Sequence, residues 1–158
     1  MSRYMKILVM VVSCLAIGYL SSFATRSGME LWFSTLEKPS FYPGSGVFQP
    51  VWTLLYIMMG IAAGLVWGQL DNRVDEVRKA LVLFAIQLLL NGLWSVLFFG
   101  LKNPLLALLE IIILWLIIYE TYVKFSKINN IAGYLMLPYL LWVAFATVLN
   151  GSIWFLNQ

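Results

Sequence analysis

Five stretches of about twenty apolar residues follow one another along this chain with only short polar breaks between them, the length a helix needs to cross a bilayer core of about 30 Å. They run approximately from Ile7 to Ala24, Phe48 to Leu70, Ala80 to Gly100, Pro104 to Val123 and Ile131 to Phe155. In hydrocarbon every backbone N–H and C=O must find a partner inside the protein, which leaves helices and closed barrels as the spanning structures. Barrel strands are about ten residues long and alternate in polarity, whereas these segments are apolar nearly all round. Composition agrees, with 62% hydrophobic and 11% charged residues against the roughly 25% charged of a soluble domain. The sequence therefore predicts an all-α membrane protein, a five-transmembrane-helix bundle in a single domain over residues 1–158, with a long first loop, 25–47, as a lid.

The first stretch also has features of a secretory signal: Arg3 and Lys6 precede it, and Ser22-Phe23-Ala24 ends it in a small-x-small pattern. Val11-Val12-Ser13-Cys14 loosely resembles a lipoprotein cleavage box. Removal at either site leaves the first loop without its anchor, so a retained helix is the expectation. Cys14, the only cysteine, has no partner for an intramolecular disulfide.

Short loops rich in Lys and Arg stay on the cytoplasmic side. Arg3, Lys6, Arg73, Arg78, Lys79, Lys124 and Lys127 fall on one side of the bundle, and Arg26, Lys38 and Lys102 on the other. The N-terminus is accordingly expected inside and the C-terminus outside, with the first loop outside. The net charge of +3 is this topological bias and gives no support to nucleic-acid binding.

The first loop interleaves Trp32, Phe33, Leu36, Phe41, Tyr42 and Phe48 with Lys38-Pro39 and Tyr42-Pro43-Gly44, which suits a segment folded back over the bundle. For Trp32 an interfacial belt position is an equal alternative. In this topology Trp52 lies about one turn inside helix two, Trp94 about 9 Å from the outer end of helix three, and Trp142 near the middle of helix five. All three occupy the half beneath the loop. Pro138, Trp142, Ala146, Leu149 and Asn150 share one face of helix five, and Ala146 leaves a gap that a planar ligand can use. Helix three carries Gln87, Asn91, Trp94, Ser95 and Phe98 along one stripe, where the amides either bond between helices or line a cavity. Trp67, Trp115 and Trp154 read as packing or belt residues. Gly60, Gly64 and Gly68 form a small-xxx-small ridge for close helix approach, within the chain or to a second copy. Glu120, one turn before Lys124, reads as an interfacial ion pair. Glu110, deeper in helix four, can anchor a helix contact, accept a proton or meet a cationic ligand group.

There is no His, no Cys pair, no Gly-rich phosphate loop and no nucleophile beside a base. No metal site is expected and no obligatory cofactor. A haem would have to rely on stacking, or on Met, Tyr or Cys14.

Four motifs then combine: Trp32-x-x-x-Leu36-x-Lys38-Pro39, Pro50-Val51-Trp52-Thr53-Leu54-Leu55-Tyr56, Gln87-x-x-x-Asn91-x-x-Trp94-x-x-x-Phe98-Phe99-Gly100, and Pro138-Tyr139-Leu140-Leu141-Trp142-Val143-Ala144-Phe145-Ala146-x-x-Leu149-Asn150. From about Gly18 to Trp154 the chain resembles the translocator protein family, also called tryptophan-rich sensory proteins or peripheral-type benzodiazepine receptors. The resemblance implies a membrane protein, often a homodimer, that binds porphyrins and, in animal members, cholesterol and aromatic drugs. It points to Trp52, Trp94, Trp142, Ala146 and Leu149 as pocket walls, with Tyr56, Asn91, Phe48 and Ser22 beside them. It also makes Trp52 and Trp142 the candidates for any light- and oxygen-dependent porphyrin breakdown. Where animal members have a Tyr and an Arg near the end of helix five, this chain has Gly151 and Phe155, which puts cholesterol recognition there in doubt. Leu106 replaces a Trp, and Phe41 with Tyr42-Pro43-Gly44 replaces the usual Trp and Pro-Pro.

These observations lead to the expectation of a porphyrin-binding receptor or sensor of the bacterial cytoplasmic membrane. Lipid surrounds it, a planar apolar molecule is its partner, and Lys38 is a candidate for the porphyrin propionates. The alternatives are a porphyrin-degrading enzyme using Trp52 and Trp142, and a small transporter with Glu110 and Asn91 on its path.

Overall fold

The computed structural model describes residues 1–158. Its helices are α1 (Arg3–Met29), α2 (Ser45–Trp67), α3 (Val74–Ser95, continued by a π turn over Val96–Gly100), α4 (Pro104–Ile128) and α5 (Asn130–Leu156). All five are long and apolar enough to cross a membrane. A short 3-10 turn over Phe33–Thr35 is the other regular element. Side chains start three of the helices: Ser2 accepts from Met5 N at 3.2 Å, Asn103 from Leu106 N at 3.0 Å and Asn129 from Ala132 N at 3.1 Å.

Helix boundaries depart from the hydropathy boundaries in an instructive way. α1 continues past Ala24 to Met29, because the hydroxyls of Thr25 and Ser27 bond back to Ser21 O and Ala24 O and so keep polar residues helical. The lid is thereby shortened from the expected 25–47 to residues 30–44. α3 begins at Val74, six residues before the apolar run, with Asp75 and Glu76 placed favourably in its positive first turn. α2 begins at Ser45, so Trp52 sits two turns inside it and not one.

The helices pack as a closed ring in the order α1, α2, α5, α4, α3 and back to α1. α1 is the outlying member, burying only Cys14 and Gly28. Its hold on α2 comes from the small-residue ridge. A Cβ on Gly60 would lie 2.5 Å from Val11 Cα, and one on Gly64 would strike the backbone of Ile7. Two backbones can approach this closely only where neither helix carries a side chain between them. The ridge is thus used within the chain at Gly60 and Gly64. At Gly68 the nearest atom outside α2 is Arg3 Cγ at 3.9 Å, so the close approach ends there.

One end of the bundle is tied by Lys6 Nζ to Trp67 O at 3.4 Å and by Arg73 to Lys127 O at 2.9 Å. Those residues belong to the basic side of the charge map. Glu120 and Lys124 pair at 3.4 Å on the surface, as their spacing suggested.

Candidate functional site

At the opposite end, the other half of the ring is filled with aromatic side chains in three groups. On α2, Trp52 lies against Tyr56 at 5.7 Å between ring centroids and edge-on to Tyr139 of α5 at 6.2 Å. On α3, Trp94 stacks on Phe98 at 5.0 Å and meets Phe99 edge-on. On α5, Trp142 contacts Phe145 and, edge-on at 5.8 Å, Phe48 of α2. The π turn matters here: its wider register, closed by Leu101 N to Val96 O at 2.8 Å, lets the consecutive residues Phe98 and Phe99 both be buried.

A chain of hydrogen bonds forms the floor beneath these rings. Tyr56 Oη donates to Asn91 Oδ1 at 2.5 Å, Asn91 Nδ2 donates to Tyr139 Oη at 2.9 Å, and Tyr139 Oη donates to Gln87 Oε1 at 2.7 Å. Three helices are joined by groups that cost free energy in hydrocarbon unless paired. The interhelical reading of Gln87 and Asn91 therefore describes what these amides do in this conformation. Higher up, Trp94 Nε1 donates to Asn150 Oδ1 at 3.0 Å, and Asn150 Nδ2 donates to Pro104 O at 2.8 Å, linking α3, α5 and α4. Trp115, among the packing residues, donates to Leu140 O at 3.1 Å.

Four buried polar atoms stay outside these networks: Trp142 Nε1, Gln87 Nε2 and both carboxylate oxygens of Glu110. Glu110 lies on the core face of α4 with Ala107, Ile111 and Leu114. Glu110 thus sits in a helix contact without a hydrogen bond of its own.

Residues 30–44 cap this end of the bundle. Phe33 is buried against Phe98, Phe99 and Tyr42, and Trp32 packs on Phe98. Trp32 is thus part of the lid and not a detached interfacial residue. Tyr42 stacks on Phe48, and Phe41 reaches Phe145. Partial burial moves the Tyr42 phenol above its usual range. Lys38 folds back on the loop that carries it. Its Nζ donates to Phe33 O at 2.9 Å and Leu36 O at 3.0 Å and lies 4.6 Å from the Phe33 ring centroid, so its charge is spent on folding the loop.

Among the residues expected at the site, Trp52, Tyr56, Trp94, Trp142, Ala146, Leu149 and Phe48 belong to or pack against the two hydrophobic clusters, one running through the bundle and one beneath the lid, and Asn91 is bonded to Tyr56 and Tyr139. Ser22 is not brought to them: its hydroxyl donates to Tyr19 O of its own helix at 2.6 Å. The hydroxyl link between α1 and α3 is instead Thr25 to Ser95, at 3.4 Å. The gap expected at Ala146 is closed, since Ala146 is packed into the core. Open hollows lie on the outside. One of about 470 Å³ runs between Pro39 and the last turns of α5, and one of about 580 Å³ lies along the first turns of α2. Tyr139, the centre of the polar chain, was missed as a site residue although a phenol inside a span raises the same question as Asn91.

The fold and this site define a multi-pass integral membrane protein, a ring of five helices with one half filled by aromatic side chains beneath a capping loop. The TspO/MBR family model matches residues 10–155, and the chain belongs to that family. It is 44% identical to the tryptophan-rich protein TspO of Chlorobaculum tepidum, over 91% of this chain and 90% of that one. It is 35% identical to the human translocator protein, over 85% and 79% of the two chains. To the tryptophan-rich sensory protein of Cereibacter sphaeroides it is 38% identical, over 80% and 77%.

Proposed function

We propose that this protein is a receptor that takes up a planar tetrapyrrole such as protoporphyrin IX in the chamber walled by Trp52, Trp94, Trp142, Ala146 and Leu149. The observation that carries this reading is the pairing of Trp142, whose buried indole N–H has no partner in the protein, with Phe48 and Phe145 beneath a loop of aromatic residues. A macrocycle that displaces Phe48 and Phe145 from Trp142 exchanges one set of aromatic contacts for another. Each such pair adds about 0.5–1.5 kcal/mol beyond the area it buries. The polar floor of Tyr56, Asn91, Tyr139 and Gln87 limits how deep the ring can go, so its propionates stay near the outer mouth. The Lys and Arg distribution supports placement in a bacterial cytoplasmic membrane with the N-terminus inside.

The test is a titration of the purified protein with protoporphyrin IX, followed by Trp fluorescence and porphyrin absorbance, in darkness and then in light. Saturable quenching that weakens in Trp142→Phe, with no new absorbance band in light, is the expected result. A product band formed only in light and lost in Trp142→Phe, at retained affinity, makes the protein a porphyrin-degrading enzyme. Absence of saturable quenching overturns the tetrapyrrole reading.

A further inference from the structure

We infer that Asn157, at the C-cap of α5, is the latch that holds the lid shut and sets the rate at which the chamber exchanges its contents. This inference rests on the chamber being the binding site.

Residues 30–44 contain one short 3-10 turn, a bond from Trp32 N back to Gly28 O and a turn closed by Tyr42 N to Pro39 O, and between these they depend on side chains for order. At Glu37 a single amide satisfies both backbone groups: Asn157 Oδ1 accepts from Glu37 N at 2.9 Å, and Asn157 Nδ2 donates to Glu37 O at 2.9 Å. Nδ2 also donates to Ile153 O at 2.8 Å, which fixes the amide against its own helix. An Asn side chain has one acceptor oxygen and two N–H donors, and each is used here. Apart from Gly44 O, which accepts from Val47 N where the chain enters α2, these are the hydrogen bonds that tie the lid to a helix other than α1.

The effect of the latch extends beyond Glu37. The next residue, Lys38, clamps Phe33 O and Leu36 O, so the segment from Phe33 to Lys38 moves as one body. Phe33 is the buried plug against Phe98, Phe99 and Tyr42, and Tyr42 stacks on the same Phe48 that covers Trp142. Releasing Glu37 frees this row of rings together. Water competes for the exposed bonds, so each has a small net value and the closed state can open without unfolding the bundle.

The experiment compares the wild type with Asn157→Ala and Asn157→Asp in lipid nanodiscs. The Asp variant keeps an acceptor for Glu37 N and loses the donor to Glu37 O. Ser152→Ala, which removes an exposed hydroxyl bonded to Val148 O one turn earlier, is the control. Amide hydrogen exchange of residues 31–43 should rise by about tenfold in Asn157→Ala, less in Asn157→Asp and not in Ser152→Ala, with α2 to α4 unchanged. Association and dissociation rates of protoporphyrin IX should rise together by a similar factor, leaving affinity nearly constant. Unchanged lid exchange in Asn157→Ala overturns the latch. Faster lid exchange with unaltered porphyrin rates overturns its control of entry. Faster lid exchange in a protein that binds no porphyrin leaves the latch standing and refutes the tetrapyrrole reading instead.

Discussion

Replacing Gly60 or Gly64 with Val should separate α1 from α2, and the size of the effect follows from the contact. A Cβ on Gly60 falls 2.5 Å from Val11 Cα and 2.8 Å from Val11 N, about 1 Å inside ordinary van der Waals contact. The obstructing atoms are backbone, so no rotamer change on α1 can make room and the helix itself must shift. Overpacking of this kind costs about 1–3 kcal/mol, and α1, with only Cys14 and Gly28 buried, has little other packing to retain it. Gly60→Val and Gly64→Val should each lower unfolding stability by roughly 2–3 kcal/mol. Combined, they should cost less than their sum, because both demand the same helix separation. Gly151→Ala is the control, since its new Cβ would meet only the Leu108 side chain, in ordinary contact at 3.6 and 3.9 Å, and the helix-propensity gain should leave stability unchanged or raised by about 0.5 kcal/mol. Denaturation with dodecyl sulfate in mixed micelles, followed by circular dichroism, measures all four proteins. If Gly60→Val shifts the oligomeric state and leaves the unfolding midpoint in place, the ridge joins two copies and the intramolecular account is wrong.

Tyr139→Phe removes one donor and one acceptor from the centre of the polar chain and should cost about 1–2 kcal/mol in the same assay, near the upper range for interhelical bonds in membranes; no loss would mean that the chain contributes nothing net. Glu110→Leu removes a buried carboxylate with no hydrogen-bond partner and should be neutral or stabilising, whereas destabilisation by more than about 1 kcal/mol would reveal a partner the geometry does not contain. Glu110→Gln separates out the transporter reading: flux of protoporphyrin into vesicles that this exchange abolishes, at retained binding, would favour it over a receptor. Lys38→Gln should loosen the lid yet weaken protoporphyrin IX and its dimethyl ester equally, because the Lys38 ammonium is occupied by Phe33 O and Leu36 O; selective loss of the free acid would return Lys38 to the propionates.

Five spans and the placement of Trp52, Trp94 and Trp142 in one half were legible from residue order alone. Each helix satisfies its own backbone, so length and hydropathy locate it without reference to neighbours. Helical spacing likewise set Gln87, Asn91 and Trp94 on one stripe, and Glu120 beside Lys124. Partner choice was not legible in this way. Tyr56 bonds across 35 residues to Asn91, and Trp94 across 56 to Asn150, and those pairings depend on ring order and on the rotation of each helix about its axis. Hydropathy does not encode that rotation in helices apolar nearly all round. For the same reason Ser22 looked like a site residue and turned out to bond within its own helix. Lys38 looked free because the curl of the loop that consumes it arises only when Phe33 packs on Phe98 and Phe99. Asn157 and Glu37, 120 residues apart, carry no pattern linking them. The sequence by itself determined that this is a five-span, Trp-rich membrane bundle, through local rules of solvation and helix geometry. The tertiary structure alone decided which polar atoms are paired, which are left open and what holds the lid, because those depend on distances between helices.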